Sequence, residues 1–291
     1  MRYLERAAPA ALAGIATRLW VLEVDAERPF EKILPMPFVH LIVNLSAPYR
    51  IHDADGGATV VADAFVSRLQ SGCLVIEPPD RIRHVGVELT PVGLSALAPA
   101  ERAPTATDPP KAGAAAVRDA RELLFGVDAL VEQLESIAAG AAPLESALDV
   151  LEAFLLASTV RAPDALVVRA LAAIDDDPAT PVAALAAALG VSQRTLIARF
   201  RAATGTTPKQ HQQVLRFHRF IDALHAAPQA RHEPDWAVLA VESGFYDQPH
   251  VIRAFRRFSG WTPTGYLRMV AEHGPDAAHF VPLDRLPSAA A

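Results

Sequence analysis

Two stretches of the 291-residue chain hold side chains whose types and spacing could do chemistry together, QRTLIARFR (193–201) and DQPHVIRAFRRF (247–258). Residues 192–201 carry three Arg and no acid, and 247–258 carry three Arg against the single acid Asp247. Arg and Gln present paired hydrogen-bonding groups in one plane, which suits purine edges, and apolar side chains can meet thymine methyls. Positive charge without neighbouring acid is also rewarded by backbone phosphates, through released counterions. The candidates for such contacts are Gln193, Arg194, Thr195, Ile197 and Arg201 in the first stretch, and Gln248, His250, Ile252, Arg253 and Arg256 in the second. One such helix alone reads more readily as a solvated surface. The elements that position it must decide.

Those elements are duplicated. LAAALGVSQRTLIARFRAATGTTP (185–208) and LAVESGFYDQPHVIRAFRRFSGWTP (239–263) follow one plan. Leu-Ala leads to Gly190-Val191 or Gly244-Phe245, then to an Arg-bearing helix anchored by Phe200 or Phe255, then to a Gly-x-Thr-Pro stop. The second copy is one residue longer between the turn glycine and the anchoring Phe. In the first copy Thr180 and Pro181 are placed to open a helix, Leu185 and Leu189 share a face, and Gly190 can take the positive φ that ends it. Ser192 then caps a second helix in which Leu196 and Phe200 face inward at i, i+4. Asp247 is the equivalent cap in the second copy, Pro249 sits in its first turn, and Val251 and Phe255 face inward. The pattern is helix, glycine turn, helix, twice. With the inward faces assigned, the ten candidates are what remains outside.

Charge divides the chain in the same place. Residues 1–164 hold 14 Lys+Arg against 22 Asp+Glu, whereas residues 165–270 hold 12 against 8. An acidic front and a basic back mark a division of labour between partners. The front is rich in short β-type runs, RLWVLEV, HLIVNL, ATVVADAFV, CLVIEP and RHVGVEL, too close together for crossover helices, which predicts an antiparallel sheet or small barrel. A Pro/Ala-rich connection follows at 98–116, then amphipathic helices over 117–158 that could cover the barrel or serve self-association. A break at 161–164 precedes the helical part, and 271–291 reads as a loose tail.

The second repeat resembles the signature segment of the AraC/XylS-type transcription regulators, through Ala240, Gly244-Phe245, Asp247-Gln248, the helix to Phe255, and Gly260 with Thr262-Pro263. LAAALGVS, Leu196, Phe200 and TGTTP match the first half of the same domain, and KQHQQVLRFHRFIDAL (209–224) resembles the long helix that joins the halves. The resemblance spans roughly 166–270. It implies two recognition helices entering adjacent major-groove segments of double-stranded DNA, about 34 Å apart. At Ile197 and Ala198 the chain is apolar where the family is usually polar or basic, whereas Arg253 keeps the family's character at the position equivalent to Ala198. The second helix is therefore expected to carry more of the hydrogen-bonded base readout. The front half more loosely resembles the cupin-like sensor domains of a subgroup of these regulators, through HLIVNLSAPYRI and SRLQSGCLVIEPPDRIRHVGVEL. That implies control by a small-molecule effector, RNA polymerase as a partner of an activator, and homodimerisation as an option.

The resulting expectation is an α+β protein. Residues 1–162 form an antiparallel cupin-like barrel with flanking helices, and 166–270 form an all-α domain with two helix-turn-helix motifs. Other chemistry finds little footing. His40, His52, Glu77 and His84 are the front half's candidate metal ligands, but they lack the two close histidines and following glutamate of metal-binding cupins, and no cofactor is expected. Neither a Gly-x-Ser-x-Gly nucleophile motif nor a phosphate-binding loop occurs, so no enzymatic activity is expected. Trp20, Phe30, Phe38 and Tyr49 read as core or as pocket lining. Cys73, the single cysteine, excludes an internal disulfide and reads as a small buried hydrophobe. No apolar run approaches the ~18–20 residues that span a bilayer, and the N-terminus lacks a signal-peptide core, which together predict a cytoplasmic protein. The competing class is a cupin-type small-molecule-binding or catalytic protein whose helical half serves assembly.

Overall fold

The structure, a computed structural model, describes residues 2–26, 28–52, 57–70, 72–99, 116–140, 143, 145–226, 236–273, 280–284 and 286. Strands β1 (Arg2–Ala7), β2 (Ala16–Asp25), β3 (Phe30–Ile33), β4 (Val39–Asn44), β5 (Arg50–His52), β6 (Ala58–Val60), β7 (Ala64–Ser67), β8 (Leu74–Glu77), β9 (Arg81–Leu89) and β10 (Val117–Asp119) make up the front half. Helices α1 (Val127–Ala139) and α2 (Glu145–Ser158) follow. The back half contains α3 (Ala165–Asp176), α4 (Val182–Ala188), α5 (Gln193–Thr204), α6 (Pro208–Ala226), α7 (Trp236–Glu242), α8 (Gln248–Ser259) and α9 (Pro263–His273), then strand β11 (Phe280–Leu283). The protein is α+β as expected.

Two antiparallel sheets face each other, in the orders β1-β2-β9-β4-β7-β10 and β11-β3-β8-β5-β6. Side-chain alternation builds both layers of core, because successive strand residues point to opposite faces. Leu19, Val21, Leu41, Val43, Val66, Val85 and Val87 face the layer formed by α1 and α2. Their neighbours Trp20, Ile42, Phe65 and Ile82 point the other way, toward Tyr49, Ile51, Leu74 and Ile76 of the second sheet. The Trp20 ring lies over Gly86, its cross-strand partner, and a Cβ at Gly86 would overlap that ring. Glycine is required there by close approach.

Three expectations are corrected. Residues 117–122 hold no α-helix: Val117–Asp119 completes the sheet edge against β7, Ala120–Glu122 is a single 3-10 turn, and the first α-helix starts only after Gly126, whose φ of 78° is left-handed. α1 and α2 cover the sheet. Residues 280–283, within the expected tail, form a strand on the free edge of β3, with Val281 fully buried; an unpaired sheet edge offers hydrogen bonds that any nearby extended segment can take. The N-cap of α4 is Pro181, and Thr180 instead donates its hydroxyl to Asp177, 2.7 Å away. β1, β3 and β5, also unanticipated, are short or polar segments without an apolar run. Most of the connection 98–116, the turn before Trp236 and the last five residues lie outside the described residues.

Candidate nucleic-acid interface

The two repeats are built by the same hydrogen bonds. Gly190 and Gly244 take φ of 72° and 83°, a region that costs a side-chain-bearing residue but not glycine. The next amide closes back onto the first helix in each case: Val191 N–H on Ala186 O at 3.0 Å, and Phe245 N–H on Ala240 O at 2.8 Å. Ser192 then accepts from Thr195 N–H and Asp247 from His250 N–H, at 3.1 and 2.8 Å. The extra residue of the second copy is Tyr246, in the turn before the cap and 88% exposed. The insertion is absorbed outside the helix, so the outward faces keep the same phase.

The helices also end alike. Thr204 and Ser259 donate to Phe200 O and Phe255 O, and Gly205 and Gly260 cap with φ of 74° and 79°. Thr207 and Thr262 then cap the following helices, accepting from Gln210 and Gly265 N–H. Gln210 returns the bond to Thr207 N–H at 3.0 Å, completing a capping box. The Gly-x-Thr-Pro element is therefore a stop and a start in one.

Leu196, Phe200, Val251 and Phe255 are buried as expected. Gln193, Arg194, Thr195, Arg201, Gln248, Arg253 and Arg256 are exposed, and Ile197, His250 and Ile252 are half-buried on the same outward sides. Among the described residues, Arg194, Arg201, Arg253 and Arg256 make no salt bridge or side-chain hydrogen bond. The remaining arginines are engaged. Arg199 forks onto the Asp164 carboxylate at 2.6 and 2.8 Å, tying α5 to the N-cap of α3, and Arg257 donates to Gln213 at 3.2 Å. His250 packs edge-on to Phe245, and burial, then Arg216 and Arg253, lower its pKa. It offers a hydrogen bond at neutral pH, not a charge.

Behind these motifs the two sheets enclose a cavity of about 330 Å³, walled by Trp20, Phe38, Tyr49 and Phe65 with His40 and His84. Burial lowers His40 to about 4 and His84 to about 3, so both imidazoles are neutral. Phe30 instead packs on His52, which pairs with Glu77 at 2.9 Å. The four metal candidates thus divide between two places, and no three His, Cys, Asp or Glu side chains converge among the described residues. Cys73 is half-buried against the core of the second motif, and burial raises its pKa.

A helix-turn-helix domain family matches residues 185–269. The back half is an AraC-type helix-turn-helix domain. A second family, a domain of unknown function (DUF6597), matches residues 5–107. Among solved structures, ToxT from Vibrio cholerae is 9% identical over 86% of this chain and 98% of its own, with a TM-score of 0.47. ToxT of strain SCE256 bound to an unsaturated fatty acid is 11% identical over 92% and 98%, also at 0.47. A DNA-binding transcriptional dual regulator from Escherichia coli K-12 is 24% identical over 40% of this chain and 99% of its own, at 0.32. Comparison with curated proteins gives no match. Among the described residues no helix is long and apolar enough to cross a membrane.

The AraC-type domain is fastened to the sheets at residues that sequence patterning does not single out. Glu31 and Ile33 of β3 border the cavity, while the alternate residues Lys32 and Leu34 face the second motif. Lys32 Nζ donates to Ser259 O, at the end of α8, at 3.0 Å and sits 3.9 Å over the Trp261 ring. Its pKa is lowered by burial. Leu34 and Val281 are fully buried in the motif's core, and His218 meets Pro35 O at 2.6 Å. The first motif receives Val92 into its core, and a Cβ at Gly205 would overlap the Arg68 guanidinium. Arg68 also borders the cavity.

Proposed function

We propose that the chain is a sequence-specific transcription regulator that reads two adjacent major-groove segments of double-stranded DNA and answers to a small molecule held in the barrel. Residues 1–162 are its sensor and 166–270 its DNA reader. One observation carries the DNA reading: two identically capped helices in an AraC-type domain each leave arginines outward with no internal partner. Gln193, Arg194, Thr195, Ile197 and Arg201 on α5, and Gln248, His250, Ile252, Arg253 and Arg256 on α8, are the contact set. Arg253 supplies a bidentate base contact of the kind that Ala198 cannot, so α8 discriminates more and α5 anchors more. The control reading is supported by β3, which borders the cavity with one face and grips the end of α8 with the other.

Binding-site selection from random duplexes tests the DNA reading. The expected product is a motif with two elements about one helical turn apart. Affinity for that site should fall steeply with salt, with a log–log slope of about −0.9 for each phosphate neutralised. An unenriched pool together with a flat salt response would return the helical half to an assembly role.

A further inference from the structure

The cavity has a chemistry from which its ligand can be read, and this step rests on the reading of the barrel as the control site. Three of its lining residues each carry a buried polar atom with no hydrogen-bond partner among the described residues: Tyr49 Oη, His84 Nε2 and Gln70 Oε1. The residues are 5%, 8% and 7% exposed, respectively. Buried polar groups are nearly always paired, so three orphans lining one cavity mark places where a partner belongs. Gln70 Oε1 can only accept, and its amide nitrogen is already spent on Ser67 Oγ at 3.0 Å, so the missing partner is a donor. Tyr49 and neutral His84 can each donate or accept, and their rings lie together with centroids 5.2 Å apart.

The remaining wall sets shape and charge. Trp20 stands between His40 and His84 at 5.7 and 6.2 Å between centroids, and Phe65 lies 6.3 Å from His84. Aromatic walls of this kind favour a flat, polarisable ring. A volume of about 330 Å³ lies near the low end of ligand pockets, which span ~300–1,000 Å³, and fits one or two rings. None of Tyr49, Gln70, His40 and His84 carries a charge at neutral pH. The charged side chains bordering the cavity balance, Arg28 and Arg68 against Asp25 and Glu31, and Arg28 is already bound to Asp284 at 2.8 Å. Beside Tyr49, Gln70 and His84 a carboxylate or ammonium would be desolvated against neutral groups, which is costly.

We propose that the cavity binds an uncharged one- or two-ring aromatic molecule bearing an N–H or O–H donor for Gln70 Oε1 beside a carbonyl or hydroxyl for Tyr49 and His84, the class of aryl amides and phenols. An isosteric pair tests charge and shape separately. The full chain is titrated calorimetrically with 2-naphthamide and with 2-naphthoate, alongside thermal unfolding. The amide binds and raises Tm, and the carboxylate binds at least about tenfold more weakly. Gln70→Leu and Tyr49→Phe each weaken the amide by about tenfold, as expected for one lost hydrogen bond, and Gln70→Leu does not weaken the carboxylate, which has no proton for that acceptor. Tighter or equal binding of 2-naphthoate overturns the charge assignment. Binding of neither probe, or amide binding insensitive to both substitutions in folded variants, overturns the proposal outright. Control is tested apart from chemistry by Ile42→Trp, which fills the cavity: unchanged duplex affinity in that variant removes the control reading and leaves the titrations standing on their own.

Discussion

The two helix-turn-helix motifs share a backbone and differ in what surrounds it. Each helix has one of its three arginines engaged, Arg199 with Asp164 and Arg257 with Gln213, but the first presents Ala198 where the second presents Arg253. The second keeps Arg253 and Arg256 outward, and its far end is gripped by Lys32 from a strand that borders the cavity. Duplication copied the caps, turns and anchoring aromatics, which are local requirements of the motif. It did not copy the outward groups or the attachments, which answer to different neighbours. The motif that carries Arg253 is also the one held by a strand that borders the cavity.

The largest test of that comparison is at the anchors. Phe200→Ala and Phe255→Ala should each cost about 3–5 kcal/mol, because both rings are fully buried. Hydrogen exchange should show each loss concentrated in its own motif, and protection lost across both in either variant would make them one cooperative unit.

Next comes His211, which packs on Phe200 and is lowered to about 4 by burial. The unfolded chain takes up its proton near pH 6.5 and the folded chain only near 4, so stability is complete above 6.5 and is lost as pH falls between those values. The contribution is about 3 kcal/mol, with His40 and His84 adding the same sign from the barrel. Thermal unfolding from pH 7 to 4 should therefore show a shallower loss in His211→Gln than in the parent, and parallel profiles would refute the assignment.

Arg253→Ala should weaken specific binding by about 1–3 kcal/mol and relax selectivity at its base pair. Arg194→Ala should weaken all duplexes more evenly. Selectivity lost mainly in the Arg194 variant would reverse the roles given to the two helices. At the caps, Ser192→Ala and Asp247→Ala should each cost about 1 kcal/mol, visible as a lower denaturation midpoint. Smallest of all, Arg199→Ala should cost under about 1 kcal/mol of stability, since its ion pair is partly exposed, and should leave duplex affinity within about twofold. A large affinity loss there would return Arg199 to the DNA face.

Much of the outward face of both motifs was legible in the sequence because helix periodicity and capping are short-range rules. Ser192, Asp247, Gly190 and Gly244 announce themselves within four residues of the groups they serve. Arg199 shows the limit: its type and exposed phase match Arg194, and only the approach of Asp164, 35 residues earlier, distinguishes them. Trp20, Phe38 and Tyr49 were recognisable as aromatics that either pack or line a pocket, and the facing of two sheets makes Trp20 and Tyr49 do both. Gln70 carried no signal, since an amide in a loop is ordinary until its carbonyl is found buried and unpaired.

The sequence by itself determined two capped, glycine-turned helix pairs, their inward and outward faces, and an antiparallel front half, since all of these follow from backbone preference and side-chain period. Tertiary structure alone decided which charges remain free, where the cavity lies, and that β3 joins it to α8. Lys32 and Ser259 are 227 residues apart, Arg28 and Asp284 256. No local rule reaches that far, so those pairs exist only once the burial of Leu34 and Val281 has brought the two halves together.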